Sequence, residues 1–430
     1  MSADRAQEIA LALDLRALPR DFLDNPYPVY AALRESEPFK RMPDGSYFLT
    51  RHADLVAVYR DAKVFSSDKQ VEFGPKYNHA PFNQPPFATA SGVSPLFEHH
   101  TSSLVFNDPP LHTRVRRLIM GALTRRAIEA MEPGLVLVVD SLLDKLQAQG
   151  GGDLIEDFAS AIPVEIIGNL LGVPHAEREP LRGWSLAILG ALEPSLTPEQ
   201  EALGHRSVSE FLAYLRQLVA DRRLHPGDPE HDVLTRLIQG EENGDALSEV
   251  ELLQNCVFLL NAGHETTTNL IGNALISLHE WPEQREQLKA DLKQTANDEE
   301  REQLMGLAVD EFLRFESSNQ LSNRRAVQAT QVNGMDLPAG ALVTLCIGAA
   351  NRDPAVYDKP EQLDLRRTGN KHLAFGFGVH QCAGLSLARL EGRIAIGRFL
   401  QRFPDYKLTQ TPMRGGRARF RGFLHAPFSI

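Results

Sequence analysis

Phe375-Gly376-Phe377-Gly378-Val379-His380-Gln381-Cys382-Ala383-Gly384 decides how the rest of the chain is read. Three glycines in ten residues let the backbone turn tightly and approach a flat group. Cys382 stands just before a predicted final helix, from about Gly384 to Phe403. A helix N-terminus favours negative charge and so lowers a thiol's pKa. A cysteine beside a turn is more often a structural residue than a ligand. A thiol poised to ionise, framed by glycines, is instead what a metal ligand requires.

The composition sets the frame around this loop. The chain has 430 residues, 43% hydrophobic and 23% charged, near ordinary globular values. Net charge is −11, which argues against general binding to nucleic acid or an anionic membrane. Cys256, Cys346 and Cys382 lie far apart and form no C-x-x-C pair, so zinc-ribbon and thioredoxin-like chemistry has no support. A low, odd cysteine count fits a reducing cytoplasm. The apolar stretch in Met1–Leu18 is broken by Asp14 and Arg16, and no other run is long enough to span a bilayer.

A second motif lies in a long predicted helix from Ser248 to Trp281. Ser248-Glu249-Val250-Glu251 reads as a capping box, and Pro282 ends the helix. Its apolar residues fall on most faces, so it should be buried over roughly 50 Å. Its middle, Asn261-Ala262-Gly263-His264-Glu265-Thr266-Thr267-Thr268, is poor helix material. Gly263 would let a ligand approach. Thr266 could bond the carbonyl four residues back and open the helix slightly. His264 is expected to pack on the far side, without chemistry.

Together these motifs closely resemble those of the cytochromes P450 of bacteria. The loop matches F-x-x-G-x-x-x-C-x-G, and the helix matches A-G-x-[D/E]-T-T. The resemblance runs from about Asn25 to the C-terminus, implying a short extension (1–24) and one catalytic domain (25–430). It implies a mainly α fold with small β-sheets and a long central helix over the haem. It makes Cys382 the axial ligand of haem b, with Phe375, Gly376, His380 and Gly384 around it and Ala262 and Gly263 opposite. Glu265 and Thr266 become the acid–alcohol pair that relays protons towards dioxygen.

Further matches are softer. Glu311-Phe312-Leu313-Arg314 is E-x-x-R, whose ends share a helix face. In the family this pair is buried and joined by a second arginine, for which Arg367 is the best match. His112 and Arg116, four apart, match propionate-binding positions, as do His380 and Arg324, with Arg325 a competitor. Asn351-Arg352-Asp353-Pro354 also fits.

Residues 66–107, rich in Phe and Pro and without helical period, read as a long loop over the substrate. Candidate pocket residues are Phe82, Phe87, Phe97, Leu259, Ala262, Leu321 and Phe423. Ser317-Ser318-Asn319-Gln320-Leu321 is more polar than the family pattern. A small or medium hydrophobic substrate, aromatic or terpenoid-like with one polar group, would suit these walls. The expected reaction is hydroxylation or oxidative dealkylation. Electrons would come from a separate ferredoxin and its NAD(P)H-dependent reductase, docking on Arg114, Arg117, Lys371, His372 and Arg389. A monomer is expected. The alternatives are a peroxide-driven peroxygenase, whose members generally lack the acid–alcohol pair, and a non-catalytic haem sensor, which would not need one.

Overall fold

The computed structural model describes residues 1–430 apart from 81, 86, 230, 231, 243 and 244. The chain divides into two compact units. Unit 1 comprises Met1–Phe65, Pro133–Ile162 and Thr266–Ile430; unit 2 comprises Ser66–Glu132 and Pro163–Glu265. Helix dominates both, as the sequence predicts.

The long helix runs unbroken from Glu249 to Glu280. The capping box forms: Glu251 N donates to Ser248 Oγ at 3.3 Å, and Ser248 N donates to Glu251 Oε2 at 2.8 Å. Pro282 opens the next helix, Pro282–Gln294. The division between the units falls within this helix, between Glu265 and Thr266. Close packing overrides its weak local propensity. In unit 2 a methyl added at Gly263 would come within 2.5 Å of Ile167 Cδ1, and in unit 1 one at Gly272 within 2.5 Å of Ile155 Cδ1.

In unit 1, Phe39–Arg41 pairs antiparallel with Tyr47–Leu49. That strand pairs parallel with Leu342–Cys346, which pairs antiparallel with Leu321–Ala326. Thr330–Val332 and Met335–Leu337 form a hairpin around Asn333 and Gly334, both at positive φ. An Asn-Gly pair is the residue choice such a turn selects. The final helix spans Leu385–Arg402, with Gly384 at its N-cap.

The residues of the short extension, 1–24, are packed into unit 1. Ala6, Ile9, Ala10, Leu13 and Phe22 are buried in one core with Val29, Tyr30 and Leu33. Residues 66–107 are not one loop, since they contain the helices Gln70–Tyr77 and Pro95–Ser102. The second helix carries a start signal the periodicity concealed: Pro95 at the first helical position behind Ser94, whose hydroxyl accepts from Phe97 N at 3.4 Å.

Candidate active site

The cysteine loop is built wholly within unit 1. Gly376 and Gly378 adopt φ of +64° and +74°, in the left-handed region. At Gly378 the requirement is double, because an added Cβ would lie 2.5 Å from Tyr59 O. Gly376 N donates to Leu373 O at 2.8 Å, and Cys382 N to Phe375 O at 2.8 Å, so the segment closes on itself. Its entry is pinned from outside: Leu373 N donates to Asn351 Oδ1 at 2.7 Å, and Asn351 Nδ2 to Ser317 Oγ at 2.7 Å. The ring of Phe375 lies under the Arg389 guanidinium, 4.9 Å away. A methyl added at Gly384 would meet nothing within 4 Å.

Cys382 is the only partly accessible cysteine of the three. Burial pushes the thiols of Cys256 and Cys346 up to about 12, so neither suits thiolate ligation.

The E-x-x-R network joins the entry of the loop through Asn351. Arg314 grips Glu311 with two bonds of 2.8 Å, and both side chains are fully buried. Arg314 also donates to the carbonyls of Asn351, Pro360 and Gln362 at 2.8–3.0 Å. Arg367 Nε donates to Glu311 Oε2 at 3.1 Å, as its motif position implies. Asn370 and the backbone N–H of Asp364, which the sequence did not single out, complete the shell of Glu311 at 3.2 and 2.9 Å. Each charge is thus paired and hydrogen-bonded, the condition for burying it.

The neighbouring N-R-D-P segment is also structural. Arg352 lies between the rings of Tyr27 and Phe315, 3.4 and 4.0 Å away, and Asp353 accepts from His52 N at 2.9 Å. A second charge cluster has no motif. Burial would raise the Glu316 carboxyl, but Arg421, Arg414 and Arg352 outweigh it and hold it near about 2.

The basic candidates separate by strand and helix geometry. Arg324 is 8% exposed and lies 5.2 Å from the Tyr59 ring, whereas Arg325 points to the opposite face of the strand. In unit 2, His112 is 1% exposed and Arg116 half-buried, one turn apart on Leu111–Ala122. His380 is half-buried.

On the long helix Glu265 is 5% exposed, while Ala262, Gly263 and Thr266 remain partly accessible. Thr266 O accepts from Ser318 Oγ at 2.8 Å. Thr267, beyond it, bonds to Glu391 of the final helix; burial pushes that carboxyl up to about 8. His264 is buried, and burial lowers its pKa to about 3, with the Arg182 charge adding to the effect. It is therefore neutral.

The packing adds detail to the remaining candidates. Gly263 packs against Ile167 in unit 2, where a methyl would not fit. Leu321 belongs to the buried core containing Tyr30 and Cys346, because its strand register pairs it with Cys346. Phe423 is 7% exposed beneath the Arg414 guanidinium, 3.9 Å away. Phe82 stacks on His205 at 4.1 Å and meets Phe87 at 5.5 Å, while Phe97 and Leu259 stay half-buried. In the polar segment 317–320, three side chains turn to backbone: Ser317 Oγ donates to Leu313 O and Gln320 Nε2 to Ser317 O, both at 2.7 Å, and Ser318 Oγ to Thr266 O. The expected basic patch is largely neutralised. Arg114 pairs with Glu251 and Arg117 with Asp245, while His372 and Arg389 share Asp310.

This fold and loop define a haem-thiolate enzyme, and comparison with known proteins agrees. The family model described as Cytochrome P450 matches residues 191–414. Cytochrome P450 107B1 of Saccharopolyspora erythraea is 35% identical over 406 residues, covering 93% of each chain. Vitamin D(3) 25-hydroxylase of Pseudonocardia autotrophica is 35% identical over 392 residues, covering 90% of this chain and 88% of its own. The solved structure of P450BioI in complex with hexadec-9Z-enoic acid ligated acyl carrier protein superposes with a TM-score of 0.84 at 31% identity, covering 95% of this chain and 100% of that one.

The chain belongs to the cytochrome P450 family and is a P450 monooxygenase. Its cofactor is haem b. The donor set suits that group: one accessible thiol at a helix N-terminus for the iron, and a buried arginine, Arg324, suited to a propionate. No helix among the described residues is long and apolar enough to cross a membrane.

Proposed function

We propose that Cys382 is the axial thiolate and that the enzyme inserts one oxygen atom into a hydrophobic substrate of small or medium size, by hydroxylation or oxidative dealkylation. Haem supplies the activation of dioxygen, which consumes two electrons and two protons and releases the second oxygen atom as water. The observation that carries the reading is the loop: an accessible cysteine, closed by its own backbone bond to Phe375 O, at the start of helix Leu385–Arg402.

The protein's own residues then divide the work. The helix N-terminus behind Cys382 favours its ionised form. Glu265, buried on the long helix, and Thr266, partly accessible beside it, pass protons to the oxygen side. Arg324, His380, His112 and Arg116 hold the propionates, the last two on the strength of their sequence match. Phe375, Gly376, Gly384 and Ala262 leave room for the flat ring. Glu311, Arg314 and Arg367 hold the cysteine loop in place. Phe82, Phe87, Phe97 and Leu259 contribute to the substrate walls, and residues 25–430 act as one catalytic domain.

Electrons come from a ferredoxin and its NAD(P)H-dependent reductase. Since Arg114, Arg117 and Arg389 are ion-paired and His372 is hydrogen-bonded to Asp310, a surface cleft lined by Arg60, Lys371 and Phe377 is the better docking candidate in unit 1. The enzyme works as a monomer in the cytoplasm, consistent with three cysteines that form no disulfide.

The test is the spectrum of the dithionite-reduced protein under carbon monoxide. A strongly red-shifted Soret band that Cys382→His abolishes supports the reading; a histidine-type band in the native protein refutes it. Thr266→Ala should keep consuming oxygen while product falls, and an unchanged product yield would remove Thr266 from the proton path.

A further inference from the structure

Helix Pro95–Ser102 carries adjacent buried histidines, His99 at 2% exposure and His100 at 1%. His99 sits in a chain of side-chain hydrogen bonds that lies entirely within unit 2. Glu98 Oε1 accepts from Ser91 Oγ at 2.6 Å, and Glu98 Oε2 accepts from Gln254 Nε2 at 2.8 Å. Gln254 Oε1 lies 3.1 Å from His99 Nδ1. Asn261 Nδ2 lies 3.3 Å from His99 Nε2. Ser103 Oγ, 3.2 Å from Nδ1, already gives its own proton to His99 O at 2.6 Å.

The end of the chain dictates its direction. A carboxylate only accepts. Gln254 must therefore turn its NH2 to Glu98 and its oxygen to His99, so Nδ1 of His99 carries the hydrogen. Burial pushes the pKa of His99 down to about 4, against the opposing bond to Gln254, so the ring has one proton. Its Nε2 is then an acceptor, and Asn261 must turn its NH2 towards it. Asn261 Oδ1 is left over. Asn261 is 2% exposed, and no described group donates to this oxygen.

The helix places that oxygen usefully. At 100° per residue Gln254, Asn261 and Glu265 form one row. Next round the helix from this row lie Phe258 and Ala262, about 60° and about 100° from Asn261, and neither is fully buried. A buried, oriented acceptor thus lies next to these two partly accessible residues and one turn before Glu265.

We propose that Asn261 is a specificity-determining residue whose Oδ1 accepts a hydrogen bond from the substrate, which is therefore a hydrophobic molecule bearing a hydroxyl or N–H. This rests on the reading that the Ala262 face of the helix borders the substrate. His99 and Gln254 are positioning residues that hold the amide in this orientation. A site built around an acceptor rejects an analogue lacking the donor, because the buried group then stays unpaired.

The test uses ferric holoprotein and phenylimidazoles, which bind iron through nitrogen and shift the Soret band. Ortho-, meta- and para-hydroxy isomers are each compared with their own methyl ethers. At least one hydroxy isomer should bind about tenfold more tightly than its ether, equivalent to about 1.4 kcal/mol. Asn261→Leu should bring that ratio to about one, and Asn261→Asp, which retains an acceptor, should keep it. Asn261→Ala serves if the leucine variant gives no carbon monoxide complex. His99→Phe should lower the ratio while leaving the affinity for unsubstituted phenylimidazole unchanged. Equal binding of every pair in the native protein, or a ratio that survives Asn261→Leu, overturns the proposal. Absence of any Soret shift with any probe would overturn the haem reading and this proposal with it.

Discussion

Replacing Glu391 by glutamine should stabilise the protein strongly at pH 8 and little at pH 5. Glu391 is 2% exposed on the final helix; burial pushes its carboxyl from 4.5 up to about 8, and the bond with Thr267 only partly opposes this. Its pKa in the folded state therefore lies above that in the unfolded state. Between the two values the folded protein holds a proton that the unfolded chain has lost. The stabilisation from that proton is fully present below about 4.5 and is lost as pH rises through about 8. At roughly 1.4 kcal/mol per pH unit, the change from pH 5 to pH 8 comes to about 3 kcal/mol. Glutamine is neutral throughout and keeps an oxygen for Thr267, so the variant lacks this slope. Guanidinium unfolding followed by circular dichroism at both pH values measures it. The stability difference between variant and native protein should grow by about 3 kcal/mol from pH 5 to pH 8. Infrared difference spectra at pH 7 should show a protonated carboxyl that the variant lacks. A difference that stays constant with pH, or no such band, would refute the argument.

Glu311→Gln leaves the buried guanidinium of Arg314 and the neighbouring Arg367 short of their counter-charge, which should cost about 3–5 kcal/mol. Because the same network anchors Asn351 O, haem retention on gel filtration should fall with it. Gly378→Ala must hold φ near +74° with a methyl against Tyr59 O, so the penalty should exceed the roughly 1–2 kcal/mol of the dihedral alone; thermal unfolding of holoprotein reads it. Gly263→Ala should cost about 1–3 kcal/mol through the clash with Ile167, and Ile167→Val should restore most of it; additive effects in that double-mutant cycle would rule out the packing role.

What the sequence determined by itself was local chemistry. Cap residues, prolines and glycines act through their own backbone, so the ends of the Glu249–Glu280 and Leu385–Arg402 helices and the turn at Asn333–Gly334 were legible. So was the setting of Cys382, because a specific turn and a helix start lie within ten residues of it. Partnership between distant residues was not. Asn351 holding Leu373, Glu391 under Thr267, and the line from Glu98 through Gln254 and His99 to Asn261 join side chains whose separations in sequence carry no period. The same holds for the neighbours of Leu321 and Gly263, which strand register and the approach of Ile167 supply. A residue's type limits what it can donate, accept or fill, but only tertiary packing selects the neighbour and removes the water, and those two effects set its final role.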